Sequence, residues 1–481
     1  MEDTVVVGTI VSNMPELPEV ETVKSILSQQ VLGKTIERVD VFRAKNIDGD
    51  EKEFISSLKG RTISGFSRVG KFIIFHFDNG LVMISHLRME GKYYFYEDKP
   101  VIGKHDLIVF HFKDGTCLTY NDTRRFGVLK LSNEDSYMKE PPLSNVGPDP
   151  FMMKDASRLV ACFKDKRIPI KQALLDQSIM AGLGNIYVDE VLFLSRIHPE
   201  TPAKLITKKQ LELVLKNSKE VLQKAINAGG STIKSYHPGK GMDGNFQVQL
   251  KVYGHKGDNC PNCGHSFRKI FVNGRGTTFC PKCQKNVALP HVVAISGPIA
   301  SGKSLVGKYF SEHGYHVFDA DACVHELYLD KNVQAGLKKI IPDLKIKDGI
   351  INKAFLKEYL LANPKKKQRL EDYIYKLVDE KVHKFVSSFS SKEKVLLEVP
   401  MLFQSHIDDY ADEIYLLSVD RKTQKERLLS RGVDPESYLK LNESYYKQED
   451  KKKATAVIEN NADAASLYSK LDKIISYRKL L

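Results

Sequence analysis

Two stretches of the chain place reactive side chains at spacings that specify chemistry by themselves. In the first, Cys260, Cys263, Cys280 and Cys283 form a C-x2-C-x16-C-x2-C array. Each two-residue gap lets one turn aim two thiolates at one ion, and the stretch between suits a β-hairpin that brings the second pair across. Four sulfurs close a tetrahedral shell around Zn2+ and leave no open position, so one structural ion per chain is expected. Two pairs without a thioredoxin-like context argue against redox chemistry. The second stretch, GPIASGKS from Gly297 to Ser304, fits G-x4-G-K-[ST]. Backbone N–H groups of such a loop wrap phosphate oxygens at a helix N-terminus. The ATP-binding set is then Gly297, Ala300, Ser301, Gly302, Lys303, Ser304 and Leu305, with Lys303 reaching the β/γ-phosphates and Ser304 a ligand of Mg2+. Asp319 and Asp321 follow in FDADACVHELY at the end of an apolar run. Such a pair suits hydroxyl activation and a magnesium shell, or is a helix N-cap with one extra acid.

These groups need elements to hold them. HVVAIS before the loop reads as a buried strand and KSLVGKYF after it as a helix, the opening of a βαβ unit, with further strands at VLLEVPML and EIYLLSVD. Residues 14 to 132 are different in character. FIIFHF, LVMISHL, KYYFYE, LIVFHF and TCLTYND are short β-branched and aromatic runs between Gly, Asp and Asn turns, the pattern of an antiparallel sandwich or barrel. KEPPLSNVGPDP reads as a linker. A helical period then runs to about residue 235, stopping at Gly229-Gly230 after LELVLKNSKEVLQKAINA. The Gly-rich HPGKGMDGNF leads into the cysteine segment, and Arg275 in GRGTTF lies at the expected hairpin tip, either reaching a phosphate or simply exposed in a turn.

At 481 residues the chain is too long for one core, and two to four domains are expected. A formal charge of +13 and a pI near 9.1 call for an anionic partner, nucleic acid or a phosphorylated small molecule. No apolar run is long enough to span a bilayer. The opening MEDTVVVGTIVSN carries an acidic pair where a signal peptide has basic residues, so a cytoplasmic location is expected, and the chain is read as a monomer. Cys117, Cys162 and Cys323 read as free buried thiols.

MPELPEVETV, RVGKFIIF, SHLRMEGKY, GKHDLIVFHF, DTRRFGVL, GLGNIYVDEVLFLSRIHP, GGSTI and the cysteine hairpin occur in the order of the formamidopyrimidine-DNA glycosylase family, which residues 14–286 resemble. The resemblance implies a β-sandwich over 14–132 with a catalytic proline helix, a helix–two-turn–helix domain over 151–246 and a zinc hairpin over 247–286. Damaged double-stranded DNA would lie between the lobes. It further implies excision of oxidised purines such as 8-oxoguanine and formamidopyrimidine, followed by nicking of the abasic strand. Pro15 matches the nucleophile, Glu16 the acid–base group, Glu19 a supporting carboxylate and Lys71 the residue for β-elimination. Arg275 matches the position tied to phosphate binding and δ-elimination. His86, His105, Arg124, Arg167, Lys171 and Asn185 match DNA-backbone contacts, and Met89, Arg124 and Phe126 match the side chains that fill the gap left by an everted nucleotide. Leu107 departs from the family, which usually has a second His there.

The proline chemistry bears on where the protein starts. A secondary amine attacks the sugar C1′ and forms an iminium. Inside a peptide bond that lone pair is delocalised, so Pro15 acts only as a free terminus. Translation from Met14 and removal of that Met would free it. Residues 1–13 are then untranslated, a removable leader, or the mark of an inactive glycosylase.

Residues 292–481 resemble dephospho-coenzyme A kinase through the phosphate loop, DADACVHEL, LEVPMLFQ and VDRKTQKERLLSRG. The resemblance implies an α/β P-loop domain with a parallel sheet that uses ATP to phosphorylate the 3′-hydroxyl of dephospho-CoA, with Asp321 as general base. Gln404 replaces a usual Glu, and Lys440 and Ser444 stand where the lid has Arg and Gln. The whole reads as a bifunctional enzyme. The competing reading is a DNA-binding module with a blocked Pro15 beside a P-loop kinase for another nucleoside or nucleotide.

Overall fold

The structure is a computed structural model that describes residues 14–98, 101–230, 249–432, 434–436 and 448–479. Residues 1–13, the HPGKGMDGNF loop with the expected 246/247 boundary, and Lys440 and Ser444 of the lid lie outside the described residues. The chain divides into two units, the first ending at Asn286 and the second starting at Val287.

The first unit opens with α1 (Leu17–Val31), which carries Pro18 in its first turn, where the missing N–H costs no helix bond. Val20, Val23, Leu27 and Val31 fall on one helical face and enter a core shared with eight strands. The strands are β1 (Ile36–Val41), β2 (Ile63–Val69), β3 (Phe72–Phe77), β4 (Leu81–His86), β5 (Lys92–Tyr96), β6 (Asp106–Phe112), β7 (Cys117–Asn121) and β8 (Val128–Asn133). They form two antiparallel sheets, β1-β6-β7-β5 and β2-β3-β4-β8, and one apolar cluster draws residues from both, which makes the sandwich.

Four helices follow: α3 (Ser157–Phe163), α4 (Ile170–Leu174), α5 (Asn185–Leu194) and α6 (Lys208–Asn227), with α2 (Glu51–Leu58) having come earlier among the strands. In α6 a Thr207–Gln210 capping box sets the start and one face packs inward. Helix α5 is buried on all sides from Ile186 to Phe193, including Asp189 and Glu190. Buried carboxylates need partners. Glu190 finds them in the backbone N–H groups of Lys251, Val252 and Tyr253, at 3.0, 2.9 and 2.9 Å. The unit ends in the hairpin of β9 (Arg268–Val272) and β10 (Arg275–Phe279), turned by Asn273-Gly274 with φ of 48° and 72°. Those angles belong to the Asn-Gly two-residue turn whose twist matches its strands.

The second unit holds a parallel sheet of β11 (His291–Ser296), β12 (His316–Asp319), β15 (Lys394–Glu398), β16 (Glu413–Ser418) and β17 (Ala456–Glu459), in the order β12-β15-β11-β16-β17. A two-residue-per-strand hairpin, β13 (Ile346–Lys347) and β14 (Ile350–Ile351), stands apart. Along β11, Val292 and Ala294 enter one apolar cluster while Val293 and Ile295 enter another. Burial on both faces is why the strand is an uninterrupted apolar run. The VLLEVPML strand is shorter than its sequence suggests: it ends at Glu398, two residues before Pro400, which cannot donate to the ladder. Among the described residues no helix is long and apolar enough to cross a membrane.

Candidate active sites

In the first unit the chain approaches α1 through Pro15, which is half-buried, and Glu16, which is 2 % exposed. The Glu16 carboxylate sits on the N-terminus of α5. It accepts hydrogen bonds from the N–H groups of Gly184 (2.7 Å), Ile186 (2.8 Å) and, more weakly, Tyr187 (3.4 Å). The glycine of GLGN is required by this approach: a Cβ on Gly184 would lie 2.3 Å from Glu16 Cδ. Burial pushes the Glu16 carboxyl up to about 7, helped by Glu19 and opposed by Lys71 and the α5 N–H groups. Glu19 closes the arrangement, accepting from the Glu16 N–H at 3.0 Å and the Tyr187 hydroxyl at 2.6 Å.

Lys71 lies in the turn between β2 and β3 and is 6 % exposed. Burial lowers its pKa, the Glu16 and Glu19 charges raise it, and Arg275 lowers it again. Three stretches therefore share one electrostatic field: the Glu16 carboxyl beside the half-buried Pro15, the destabilised Lys71 ammonium and the Arg275 guanidinium.

Arg275 opens β10 and is exposed; behind it the hairpin is tied to α4 and α5. Asn185 Nδ2 donates to the Gly276 carbonyl at 3.1 Å. Lys171 Nζ donates to Asp189 Oδ1 at 2.6 Å, Thr277 Oγ1 at 2.8 Å and the Gly276 carbonyl at 3.4 Å, while the Thr278 N–H donates to Asp189 Oδ2 at 3.0 Å. Burial lowers the Lys171 pKa and raises that of Asp189 to about 6. In this placement the Lys171 side chain has no exposed surface and three protein acceptors, which tie α4 to the hairpin behind Arg275. Asp189 was not singled out in the sequence, although an acid inside the apolar run NIYVDEVLFL is the signal of a buried partner.

The four cysteine sulfurs lie within 4.8 Å of one another, with Cys260–Cys283 at 3.8 Å and Cys263–Cys280 at 3.5 Å. A zinc–sulfur bond of about 2.3 Å implies sulfurs about 3.8 Å apart in a tetrahedron, so the cluster is consistent with a structural Zn2+. The N–H groups of Asn262 and Cys283 point at Cys260 Sγ and Cys280 Sγ, both at 3.4 Å, and would offset thiolate charge.

Of the other expected DNA-facing residues, Met89, His105, Arg124, Phe126 and Arg167 lie in loops and His86 closes a strand. Met89 is half-buried in the turn after β4, and Arg124 and Phe126 project from the loop between β7 and β8. The Arg124 guanidinium lies 5.1 Å from the centre of the Phe126 ring, which is 55 % exposed. His86 ends β4 against the edge of Phe72, accepts the Arg88 N–H at 2.9 Å, and is lowered to about 3 by burial and the charges of Arg88 and Lys71, so it is a neutral ring. His105 precedes β6, its carbonyl accepting the Asp122 N–H at 3.0 Å, and Arg167 is exposed between α3 and α4. Leu107 is buried in the sandwich core, so the departure from a second His is an apolar core position here.

In the second unit the phosphate loop joins β11 to α7 (Lys303–Glu312). Ala300 and Gly302 have φ of 61° and 96°, which curl the loop. Lys303 Nζ donates to the carbonyls of Gly297 (2.8 Å) and Pro298 (3.1 Å); burial lowers its pKa, and Asp321 and Glu398 oppose that. Asp319 caps α8 (Ala320–Leu329), accepting the N–H groups of Asp321 (2.9 Å) and Ala322 (3.1 Å), so the capping alternative holds for Asp319, and the Asp321 carboxylate takes no part in the cap. Burial and Asp319 raise the Asp321 pKa. Glu398 at the end of β15 accepts the Ser304 hydroxyl at 3.0 Å, and burial raises its pKa. Glu398 was missed in the sequence; an acid closing a buried apolar strand beside a phosphate loop is its signal.

Family models match the formamidopyrimidine-DNA glycosylase N-terminal domain at residues 14–129, its H2TH domain at 146–237 and the zinc finger found in FPG and IleRS at 257–286. The dephospho-CoA kinase model matches residues 291–466. The formamidopyrimidine-DNA glycosylase of Halalkalibacterium halodurans is 48 % identical over 276 residues, covering 56 % of this chain and 100 % of that protein. A Lactococcus lactis FPG mutant in complex with Fapy-dG containing DNA superposes with a TM-score of 0.54 at 39 % identity, covering 56 % of this chain and 100 % of the other. MutM in complex with carbocyclic 8-oxo-G containing DNA gives a TM-score of 0.53, with the same identity and coverage. The chain therefore belongs to the formamidopyrimidine-DNA glycosylase family over residues 14–286 and carries a dephospho-CoA kinase domain behind it at 291–466.

Proposed function

We propose that the chain is a bifunctional enzyme: a DNA glycosylase and abasic-site lyase for oxidised purines, joined to an ATP-dependent dephospho-CoA kinase. The observation that carries the first activity is the Glu16 carboxyl, next to Pro15, buried on a helix N-terminus and pushed to about 7. A group balanced near neutrality can take a proton and return it. Pro15 nitrogen attacks C1′ of the damaged nucleotide, the bond from C1′ to the base breaks, and the base leaves with its electron pair. Glu16 moves the protons that this exchange requires. The resulting iminium acidifies the sugar carbon beside it, and Lys71, buried with a lowered pKa, accepts that proton in β-elimination. Arg275 holds the phosphate next to the leaving oxygen and supports the second elimination. His86, His105, Arg167 and Asn185 line the path of the strand; Met89, Arg124 and Phe126 fill the gap left by the everted base. The relatives bound to Fapy-dG and 8-oxo-G DNA support this lesion class. Trapping with borohydride on an 8-oxoguanine duplex tests it: the chain beginning at Pro15 should be captured covalently, and a chain retaining residues 1–14 should not. Equal capture would overturn the Pro15 reading.

In the second unit Asp321 accepts the proton of the 3′-hydroxyl as that oxygen attacks the γ-phosphorus and ADP departs, while Lys303 stabilises charge on the transferring group. Mg2+ arriving with ATP would be held by Ser304 with Glu398 behind it and would neutralise phosphate charge. Full-length protein should phosphorylate dephospho-CoA in preference to adenosine, AMP and deoxynucleosides. Transfer to another of these with none to dephospho-CoA would leave only the phosphate-loop reading.

A further inference from the structure

The loop that presents Arg124 and Phe126 is gripped from both sides by buried polar groups. Asp122 is 0 % exposed; its Oδ1 accepts the Arg124 N–H at 2.9 Å, and its Oδ2 accepts the N–H groups of Phe126 at 2.9 Å and Gly127 at 2.8 Å. From the other side Asn46, also buried, donates through Nδ2 to the Arg125 carbonyl at 3.3 Å and the Gly127 carbonyl at 2.6 Å. Between these grips Arg125 takes a φ of 61°, a left-handed conformation that a non-glycine residue adopts only when its surroundings impose it.

The Met89 turn is fastened to the same structure. The Thr123 hydroxyl donates to Glu90, which joins the two loops directly. Beneath both lies Tyr120. A Cβ on Gly127 would come within 1.6 Å of its hydroxyl oxygen and a Cβ on Gly91 within 2.4 Å, so both loops close over one phenol and only glycine allows it. Phe126 stays exposed on this base, with Arg124 above its ring. An exposed aromatic on an ordinary loop would have to be ordered on binding. Here the ordering is done before DNA arrives, which lowers the entropy cost of insertion.

We propose that Asp122, with Asn46 opposite, is a positioning residue that makes Met89, Arg124 and Phe126 one rigid wedge for base eversion. The inference rests on the reading that these three side chains fill the gap left by the everted nucleotide. Eversion is demanding when the lesion is paired and stacked, and easier at an abasic sugar with no base to unstack. Loss of the grip should therefore show on the paired lesion first.

In the chain beginning at Pro15, Asp122→Asn keeps the shape but turns an amide N–H2 toward backbone N–H groups. Single-turnover excision of 8-oxoguanine opposite cytosine should fall about tenfold, and cleavage of a preformed abasic site should fall at least about threefold less, since a small misplacement near the reacting groups costs rate steeply. Phe126→Ala should give the same selective loss. Asn46→Ala, which removes the opposite grip, supplies the second variant if Asp122→Asn fails to fold. Equal losses on both substrates would mean general destabilisation and overturn the positioning role. A Phe126→Ala defect with unimpaired Asp122→Asn and Asn46→Ala would overturn it while sparing the wedge. If Phe126→Ala is itself harmless, the wedge reading fails and takes this inference with it.

Discussion

The glycosylase centre and the phosphate site solve the same problem by opposite means. Glu16 finds its donors 168 residues away at Gly184, and the strut under Arg275 spans 106 residues from Lys171 to Thr277. The phosphate site has a contiguous centre: Lys303 bonds the Gly297 carbonyl six residues before it, and the acids Asp319 and Glu398 come from further off, at the ends of β12 and β15 on one side of β11. A contiguous site follows from the local path of strand, loop and helix. A distributed site depends on every distant support that keeps its separate stretches in register. The first should survive remote damage within its own unit and the second should not.

The largest effect expected is from Cys280→Ser. A closed cysteine site contributes free energy on the order of 10 kcal/mol to the order of the segment it holds. Zinc should fall below one per chain in metal analysis, and duplex affinity should drop with it because Arg275 loses its platform. ATP-dependent transfer in the same preparation should stay within about twofold, because the phosphate site is built from the second unit's own residues. A matching loss of transfer would break the comparison.

Next comes Lys171→Met. It leaves Asp189 buried without its cation, which typically costs about 3–5 kcal/mol. The loss should appear as a lower denaturation midpoint of the first unit, and a Lys171→Met/Asp189→Asn pair should regain part of it. If Lys171→Met weakens DNA binding with no loss of stability, the strut is wrong and a phosphate contact is right.

Lys303→Ala and Asp321→Asn probe the contiguous site. Each should lower kcat by about 10²–10³, the scale for removing one transition-state partner. Lys303→Ala should also weaken ATP binding, whereas Asp321→Asn should nearly preserve it. Neither should change excision of 8-oxoguanine.

The smallest effect is a pH slope. The folded pKa of Glu16, about 7, lies above its ordinary 4.5, so the protonated form is favoured by folding. That stabilisation is complete below about pH 4.5 and is lost as pH rises through 7. Measured against Glu16→Gln, the stability of the first unit should decline by about 1 kcal/mol per unit across pH 5–7. A rising difference would place a stronger cation against Glu16 than Lys71 provides.

The same contrast decided what could be read in advance. The cysteine quartet and the phosphate loop were legible because each is a local pattern: turn geometry fixes two sulfurs at a time, and the loop and helix are one continuous path. Resemblance supplied Pro15, Glu16 and Lys71, but not how Glu16 is tuned, because no spacing in the sequence relates it to Gly184. Lys171 shows the limit most clearly. In sequence it is a basic residue in a basic DNA-binding family, and a phosphate contact is the natural reading. Only packing shows that Asp189, on the neighbouring helix, pairs with its ammonium and that Thr277, on a hairpin far along the chain, accepts a hydrogen bond from it.

The sequence by itself determined the division into a glycosylase-family region and a kinase-family domain, the cysteine quartet, the phosphate loop and the apolar run that makes β11 a strand buried on both faces. Each rests on periods of two to four residues or on short fixed gaps, which backbone geometry converts directly into position. The tertiary structure decided how each ionisable group is held. It buries Glu16 on a helix N-terminus, spends Lys171 on an ion pair, assigns Asp319 to a cap and frees Asp321, and grips the Arg124–Phe126 loop through Asp122 and Asn46. Desolvation and charge act through space, so their outcome belongs to neighbours that the linear order does not name.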